Sequence, residues 1–174
     1  AIGIFGMLSL VSSLCFAAAP DFGHDGRKGL DTSQIQQLAN GEIVFTFMDS
    51  SAATHSGLIE AAVIFNQTPE QTWNLLYRTE DQIKYLKEID AIKVIAKSLQ
   101  QDTIEFKVKV AFLTFSYRVN HIFDNSSFNF FWNLDPRFNN DLLELRGFWR
   151  FYPYGQDKTL ARYGSKVSLK NVPT

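Results

Sequence analysis

The sequence is short of the residues that build most recognisable chemical sites. It has one cysteine, Cys15, inside an uncharged N-terminal run. One thiol can make neither an internal disulfide nor a thiolate metal cluster. Of the three histidines, His24 and His55 lie in loop-like sequence and no other donor stands at ligand spacing, so no metal is expected. There is no glycine-rich phosphate loop, no G-x-S-x-G and no pair of inward-facing carboxylates. No catalytic residue is assigned on these grounds, and no cofactor is expected. The 17 Lys and Arg are scattered singly and the net charge is −1. That excludes the basic patch a nucleic-acid partner requires.

Charge is also missing from Ala1 to Ala19, which is apolar and ends in small residues before Pro20. This pattern is that of a secretory signal peptide. Cys15 and Ala17 meet the small-residue requirement, which places cleavage after Ala17 and the signal at residues 1–17. A cut after Ala19 would set Pro20 beside the scissile bond, and Ser12 stands where a lipoprotein signal needs Leu. The protein is therefore expected to be exported, periplasmic or extracellular. An uncleaved membrane anchor is the alternative, because nineteen apolar residues can just span a bilayer. Residues 18–30, with the glycine-rich Pro20–Gly29, read as a linker, and residues 31–174 as one domain.

What the chain has in abundance is rings. Thr103 to Tyr152 holds ten of the 16 Phe, two of the three Trp, and Tyr117 and Tyr152, mostly at every second position. Alternate residues of a strand share a face, so this spacing gathers the rings on one side of a β-sheet. A helix, a second sheet or a bound apolar molecule must cover such a face.

The elements follow from local signals. Asp31 to Ala39 reads as a short helix with Asp31, Thr32 or Ser33 as its cap and Gly41 just beyond its end. Glu42–Met48 and Leu58–Phe65 read as strands joined by the polar stretch Asp49–Gly57. Thr68-Pro69-Glu70-Gln71 is a capping box with proline at the first helical position. Thr79-Glu80-Asp81-Gln82 repeats the pattern and predicts a second short helix. From Ala91 the period becomes two. The apolar phase flips at Phe112-Leu113, and an unbroken strand from Thr103 to Phe123 would run about 70 Å at about 3.3 Å per residue. The chain must reverse near Ala111 to Thr114. Two more ring-bearing strands and a last one, Thr159–Leu169, complete a meander. Phe106, Val108 and Val110 read as core. Two short helices are too small to cover the concave side.

Gly41–Val44 before the first strand, Val63–Trp73 at the strand-to-helix junction, and then Phe131–Asp135, Gly147–Phe151 and Thr159–Tyr163 together carry a likeness. Through them the chain resembles the START, or helix-grip (SRPBCC), superfamily, near its coenzyme-Q-binding and polyketide-cyclase-like branch. It implies an α+β helix-grip fold: a curved antiparallel sheet of six to seven strands, two short helices after the first strand, and a long C-terminal helix gripping an apolar ligand. That helix should begin near Val172-Pro173, so residues 31–174 are expected to form a START-like domain truncated at its C-terminus.

Phe115, Tyr117, His121, Phe130, Trp132, Leu145, Gly147 and Trp149 are the residues expected to line the ligand space. Gly147 marks either a bend or a close approach. His121 is the single acid–base side chain on the apolar face, suited to a ligand head group or to proton transfer. Glu144 and Arg146 read as a solvated pair and Asp135 as a turn residue. The expected function is binding, and transport, of a hydrophobic small molecule that is lipid-, quinone- or polyketide-like. Transient contact with a membrane is the second partner such a role suggests. A cyclase or aromatase-like enzyme using His121 and Tyr117 is the alternative. A third reading is a protein-interaction module, with Ile122, Phe131 and Phe148 forming an outward apolar patch.

Overall fold

The structure is a computed structural model that describes residues 19–170. The expected signal peptide and the expected helix start at Val172-Pro173 lie outside the described residues. After the helix α1 (Thr32–Ala39), strands β1 (Val44–Ser51) and β2 (Ser56–Phe65) form a hairpin. A helix α2 (Pro69–Leu76) and a 3-10 helix (Thr79–Lys84) follow. Then come β3 (Ile89–Lys97), β4 (Gln101–Val110), β5 (Leu113–Asp124), β6 (Asn129–Leu134), β7 (Leu142–Tyr154) and β8 (Lys158–Leu169). All pairings are antiparallel, in the order β1-β2-β8-β7-β6-β5-β4-β3. The single curved sheet thus has eight strands, slightly more than the six to seven expected.

This order sets up the site. The chain leaves β2 near one edge and must resume in β3 at the other. The stretch between Phe65 and Ile89 therefore crosses the sheet, and α2 and the 3-10 helix cross it on the concave side. The start of α2 is fixed as its sequence dictates. Thr68 accepts from the Gln71 amide at 3.3 Å, and Gln71 returns a bond from the Thr68 amide at 3.0 Å. α1 is closed in the same way by Asp31 and Gln34. The second predicted helix differs: it is a six-residue 3-10 segment whose N-cap is Arg78, with no side-chain bond to its free amides. Thr79 lies inside it, almost fully buried at 1% exposure, and does not cap it.

The reversal predicted near Ala111 is a two-residue turn, Ala111-Phe112, with Ala111 at φ 54°. Its flanks are wet: Val110, expected in the core, is 54% exposed and Phe112 is 92% exposed. The β1–β2 connection is shorter than its polar composition suggests, because the strands extend to Ser51 and Ser56.

The convex side carries its own cover. Residues from Ala19 to Leu30, irregular as their turn composition demands, pack against the sheet and do not swing free. Phe22 lies 5.7 Å from the Phe148 ring, with Ala19, Phe131 and Tyr152 around them. Arg162 donates to the Gly26 and Lys28 carbonyls at 2.8 and 3.3 Å and sits 4.0 Å from the Phe22 ring centroid. Leu38 of α1 packs on Val44, Ala62 and Leu160. The apolar patch expected at Phe131 and Phe148 is therefore covered from within the chain, and Phe148 is buried. Composition could not reveal this, because the covering residues lie more than a hundred positions away.

Candidate functional site

Register decides which side chains meet on the concave face, since residues directly opposite across a sheet share a side. One row runs Asp102, His121, Trp132, Gly147, Ser165 from β4 to β8. The neighbouring row runs Phe123, Phe130, Trp149, Tyr163 from β5 to β8. Tyr117 stands opposite Phe106, with the rings stacked at 5.4 Å.

The two ends of this face are finished differently. At one end Trp73 of α2 enters among the rings, 6.0 Å from Phe123, 5.8 Å from Phe130 and 6.4 Å from Phe151. All four are buried, so this end is a solid aromatic core. The expectation that the two helices leave the face uncovered is corrected for this half. α2 has only eight residues, but one of them is an indole.

At the other end a cavity of about 510 Å³ remains, within the range of roughly 300–1,000 Å³ usual for small-molecule sites. Its floor is Tyr117, Val119, His121, Trp132, Leu145, Trp149, Tyr163 and Ser165, with Phe106 and Val108 on the β4 side. Its roof is Leu76, Gln82, Tyr85, Leu86, Glu88 and Ile89. Phe130 lines it too and forms the partition against the Trp73 core.

Six of the eight residues expected to face a ligand thus meet around one space: Tyr117, His121, Phe130, Trp132, Leu145 and Trp149. Phe115 does not; it lies further along β5 toward the turn, opposite Val108. Gly147 does not line the space either. A Cβ at Gly147 would run into the Trp132 ring and the Gly164 carbonyl, so the close approach there is made by the indole across the strand pair. Phe106 and Val108, expected as plain core, are walls of the cavity.

His121 is held more specifically than its sequence position suggests. Its Nδ1 lies 2.6 Å from Asp102 Oδ1, and the two side chains are 7% and 0% exposed. Rings of Phe123, Phe130 and Trp132 stand 6.0–6.4 Å from the imidazole. The contact with Asp102 through Nδ1 orients the ring and leaves Nε2 on its opposite edge. Lys97, opposite Asp102 on β3, gives its ammonium to Glu80 at 2.7 Å. The second oxygen of Asp102 is buried without a partner.

Two phenols of the floor add to its polar groups. Burial, with a smaller contribution from Tyr163, pushes Tyr117 up to about 12. Burial also raises Tyr163. Both stay protonated across the biological pH range and can donate into the cavity. Among the described residues, no group of three or more His, Cys, Asp or Glu is placed to hold a metal ion. No described helix is long and apolar enough to cross a membrane.

Asp102, Tyr163 and Ser165 were not among the expected site residues. Asp102 follows two glutamines and looks like the end of a loop. The signal was the hairpin itself: once the turn is Ala111-Phe112, pairing outward from Val110 and Leu113 brings Asp102 opposite His121. The solvated pair is present, with Arg146 Nε 2.9 Å from Glu144 and Lys166 joining it. Asp135 is a turn residue but a buried one. Its hydrogen bonds from Arg137 hold its carboxyl below the usual carboxylate range.

No family model matches the sequence, and no curated protein matches it. Solved structures do. The Zhui aromatase/cyclase from Streptomyces sp. R1128 superposes with TM-score 0.60 at 11% identity, covering 68% of this chain and 72% of that one. A STAR-related lipid transfer protein from Xanthomonas axonopodis gives 0.59 at 8% identity, covering 75% and 80%. A START superfamily protein from Mycobacterium smegmatis gives 0.56 at 16%, covering 67% and 81%. Likeness at such identities speaks to architecture, and it is architecture that it establishes: this chain has the fold of the START superfamily.

Proposed function

We propose that this protein binds a hydrophobic small molecule bearing at least one oxygen function, in the cavity between the concave face and the α2-to-β3 segment. The observation that carries the reading is the cavity itself, walled mainly by rings and aliphatic side chains, with His121, Tyr117, Tyr163 and Ser165 as the polar groups of its floor and Gln82, Tyr85 and Glu88 as those of its roof. An apolar body would be held by the walls and its oxygen by those groups. Burying about 300 Å² of apolar ligand surface at about 25 cal/mol per Å² contributes about 7 kcal/mol before binding costs are subtracted. Lipid-, quinone- and polyketide-like molecules meet this description. The structural neighbours include both a lipid transfer protein and an aromatase/cyclase.

Tyr85 and Leu86 line the cavity and are also 49% and 41% exposed, so contact with a membrane during loading belongs at this mouth. Export fits a carrier role. N-terminal sequencing of the secreted protein tests it, with Ala18 expected first. The binding reading is tested by native mass spectrometry of purified full chain and by quenching of Trp132 and Trp149, both cavity residues. A protein that retains no apolar compound, and is quenched by none across a panel of fatty acids, quinones and aryl ketones, would refute it.

A further inference from the structure

The β4–β5 hairpin ends in a turn whose residues its own geometry disfavours. Two-residue turns between strands suit glycine, asparagine and aspartate. Here the turn is Ala111-Phe112, with Ala111 at φ 54°, in the left-handed region that a residue with a Cβ enters at a cost. Phe112 is the most exposed large apolar side chain among the described residues.

A lone exposed ring is ordinary on a protein surface, but this one is not alone. Side chains of a strand alternate between faces, so Val110 shares a face with Phe106 and Val108 of the cavity wall. Leu113 and Phe115 stand opposite Val110 and Val108 on that same face. The apolar wall of the cavity therefore runs on to the tip of the hairpin. On the roof side Tyr85 and Leu86 line the mouth and are exposed, with exposed Ile83 just before them. Roof and hairpin are tied together: the Lys109 amide donates to the Glu88 carbonyl at 2.7 Å, and Ile89 pairs with Val108.

Charge surrounds this apolar strip. Lys107 and Lys109 alternate with its residues along β4, are more than half exposed, and stand 3.7 and 2.8 Å from Asp90. Lys84 and Lys87 flank Tyr85 and Leu86. Over residues 83–90 and 106–115 these four lysines face two carboxylates, Glu88 and Asp90, in a chain whose net charge is −1. Asp81 reaches Lys84 at 2.6 Å but is shared with Arg78 at 3.1 Å, so the surplus stays positive.

The geometry points to the Ala111-Phe112 tip and the roof edge from Ile83 to Lys87 as one docking surface for a bilayer bearing anionic headgroups. The inference rests on the binding reading above and names the partner with which the cavity exchanges its guest. Phe112, Val110 and Leu113 enter the boundary of the acyl chains, and the lysines stay among the headgroups. An apolar centre ringed by cations is what such an interface takes up. Leu113 and Phe115 then lead from the acyl chains to the cavity, so a guest moves along apolar side chains and not through water.

The test uses the full chain and vesicles of phosphatidylcholine with or without about one-third phosphatidylglycerol. Phe112→Trp places a reporter at the tip, read against the wild-type tryptophan signal. Its emission should shift to the blue on anionic vesicles and be quenched by lipids brominated in the acyl chain. Gln156→Trp, at the exposed β7–β8 turn, reports from the opposite end of the sheet, because β7 begins beside Ser116 and ends there. It should show neither change. Replacing Lys107 and Lys109 together by Gln should weaken the tip's association with anionic vesicles about 10-fold and leave neutral vesicles unaffected. Added salt should act in the same direction. Circular dichroism confirms that each variant folds. Equal quenching at positions 112 and 156 would overturn the inference, as would quenching that the lysine change leaves untouched. A tip reporter buried in a dimer, and unmoved by vesicles, would give the surface to a second copy and overturn it too. A tip unmoved by either vesicle, in a protein that retains an apolar guest, would overturn it and leave the binding reading intact. A tip quenched on anionic vesicles, in a protein that retains no guest, would uphold the docking surface and overturn the binding reading.

Discussion

The two ends of the concave face are built from the same kinds of residue and finished in opposite ways. Phe123, Phe130 and Phe151 meet an indole from α2 and become solid core, whereas Trp132, Leu145 and Tyr117 meet only the edge of a roof and stay beside a hollow. Ring-rich strands therefore do not specify a pocket. The difference is made by one side chain on the covering segment: eight helical residues present Trp73 at one end, and the 3-10 segment and the residues just after it present the smaller Gln82 and Leu86 at the other.

The strongest way to break this contrast is Trp73→Ala. Removing a buried indole should destabilise the protein by about 3–5 kcal/mol, read as a lower urea midpoint. Survivors of the substitution should accept bulkier ligands, because the plugged end would open into the hollow one. A destabilisation under about 1 kcal/mol would show that Trp73 is not the plug. Gly147→Ala comes next. The added methyl meets the Trp132 ring and the Gly164 carbonyl, and overpacking of this kind costs about 1–3 kcal/mol. The near-ultraviolet circular dichroism of Trp132 should change with it.

Alkaline titration separates the ends by charge. Tyr117 is raised from 10.0 to about 12 in the fold. A phenol whose folded pKa exceeds its unfolded one contributes stability that is whole below the unfolded value and lost as pH climbs to the folded one. Stability should therefore decline between about pH 10 and 12. In Tyr117→Phe that decline should be shallower. The smallest effect is expected from Leu145→Phe. A larger side chain in the hollow displaces no neighbour, so stability should change by less than about 1 kcal/mol, while ligand affinity falls several-fold. A large destabilisation would mean the cavity is already tightly packed.

Local structure was legible where the determinant was local. The Thr68–Gln71 box closes its helix by bonds within four residues, and Thr103–Phe123 is too long for one strand, so α2 and the Ala111 turn could be read off directly. The alternating rings gave the face and six of the cavity residues. What stayed hidden depends on residues far apart in sequence. Trp73 reads as one apolar position on a short helix until β5, β6 and β7 are stacked beneath it. Phe22 and Arg162 are joined across most of the chain, which is why a segment with linker composition turned out to be the sheet's outer cover. The 3-10 segment carries a capping-box spelling in Thr79–Gln82, yet the chain uses Thr79 for burial, and tertiary contact overrode the local preference.

That uncapped segment has a consequence for traffic. Among the described residues the sheet's back is covered by the Phe22–Arg162 clasp, so the roof, where Tyr85 and Leu86 are exposed, is the side by which the proposed guest would come and go. A short 3-10 turn with free amides frays at less expense than a strand can be peeled away. The doorway of this container is thus its least well-tied hinge, and tightening the cap at Arg78 should slow exchange of contents without touching the chamber.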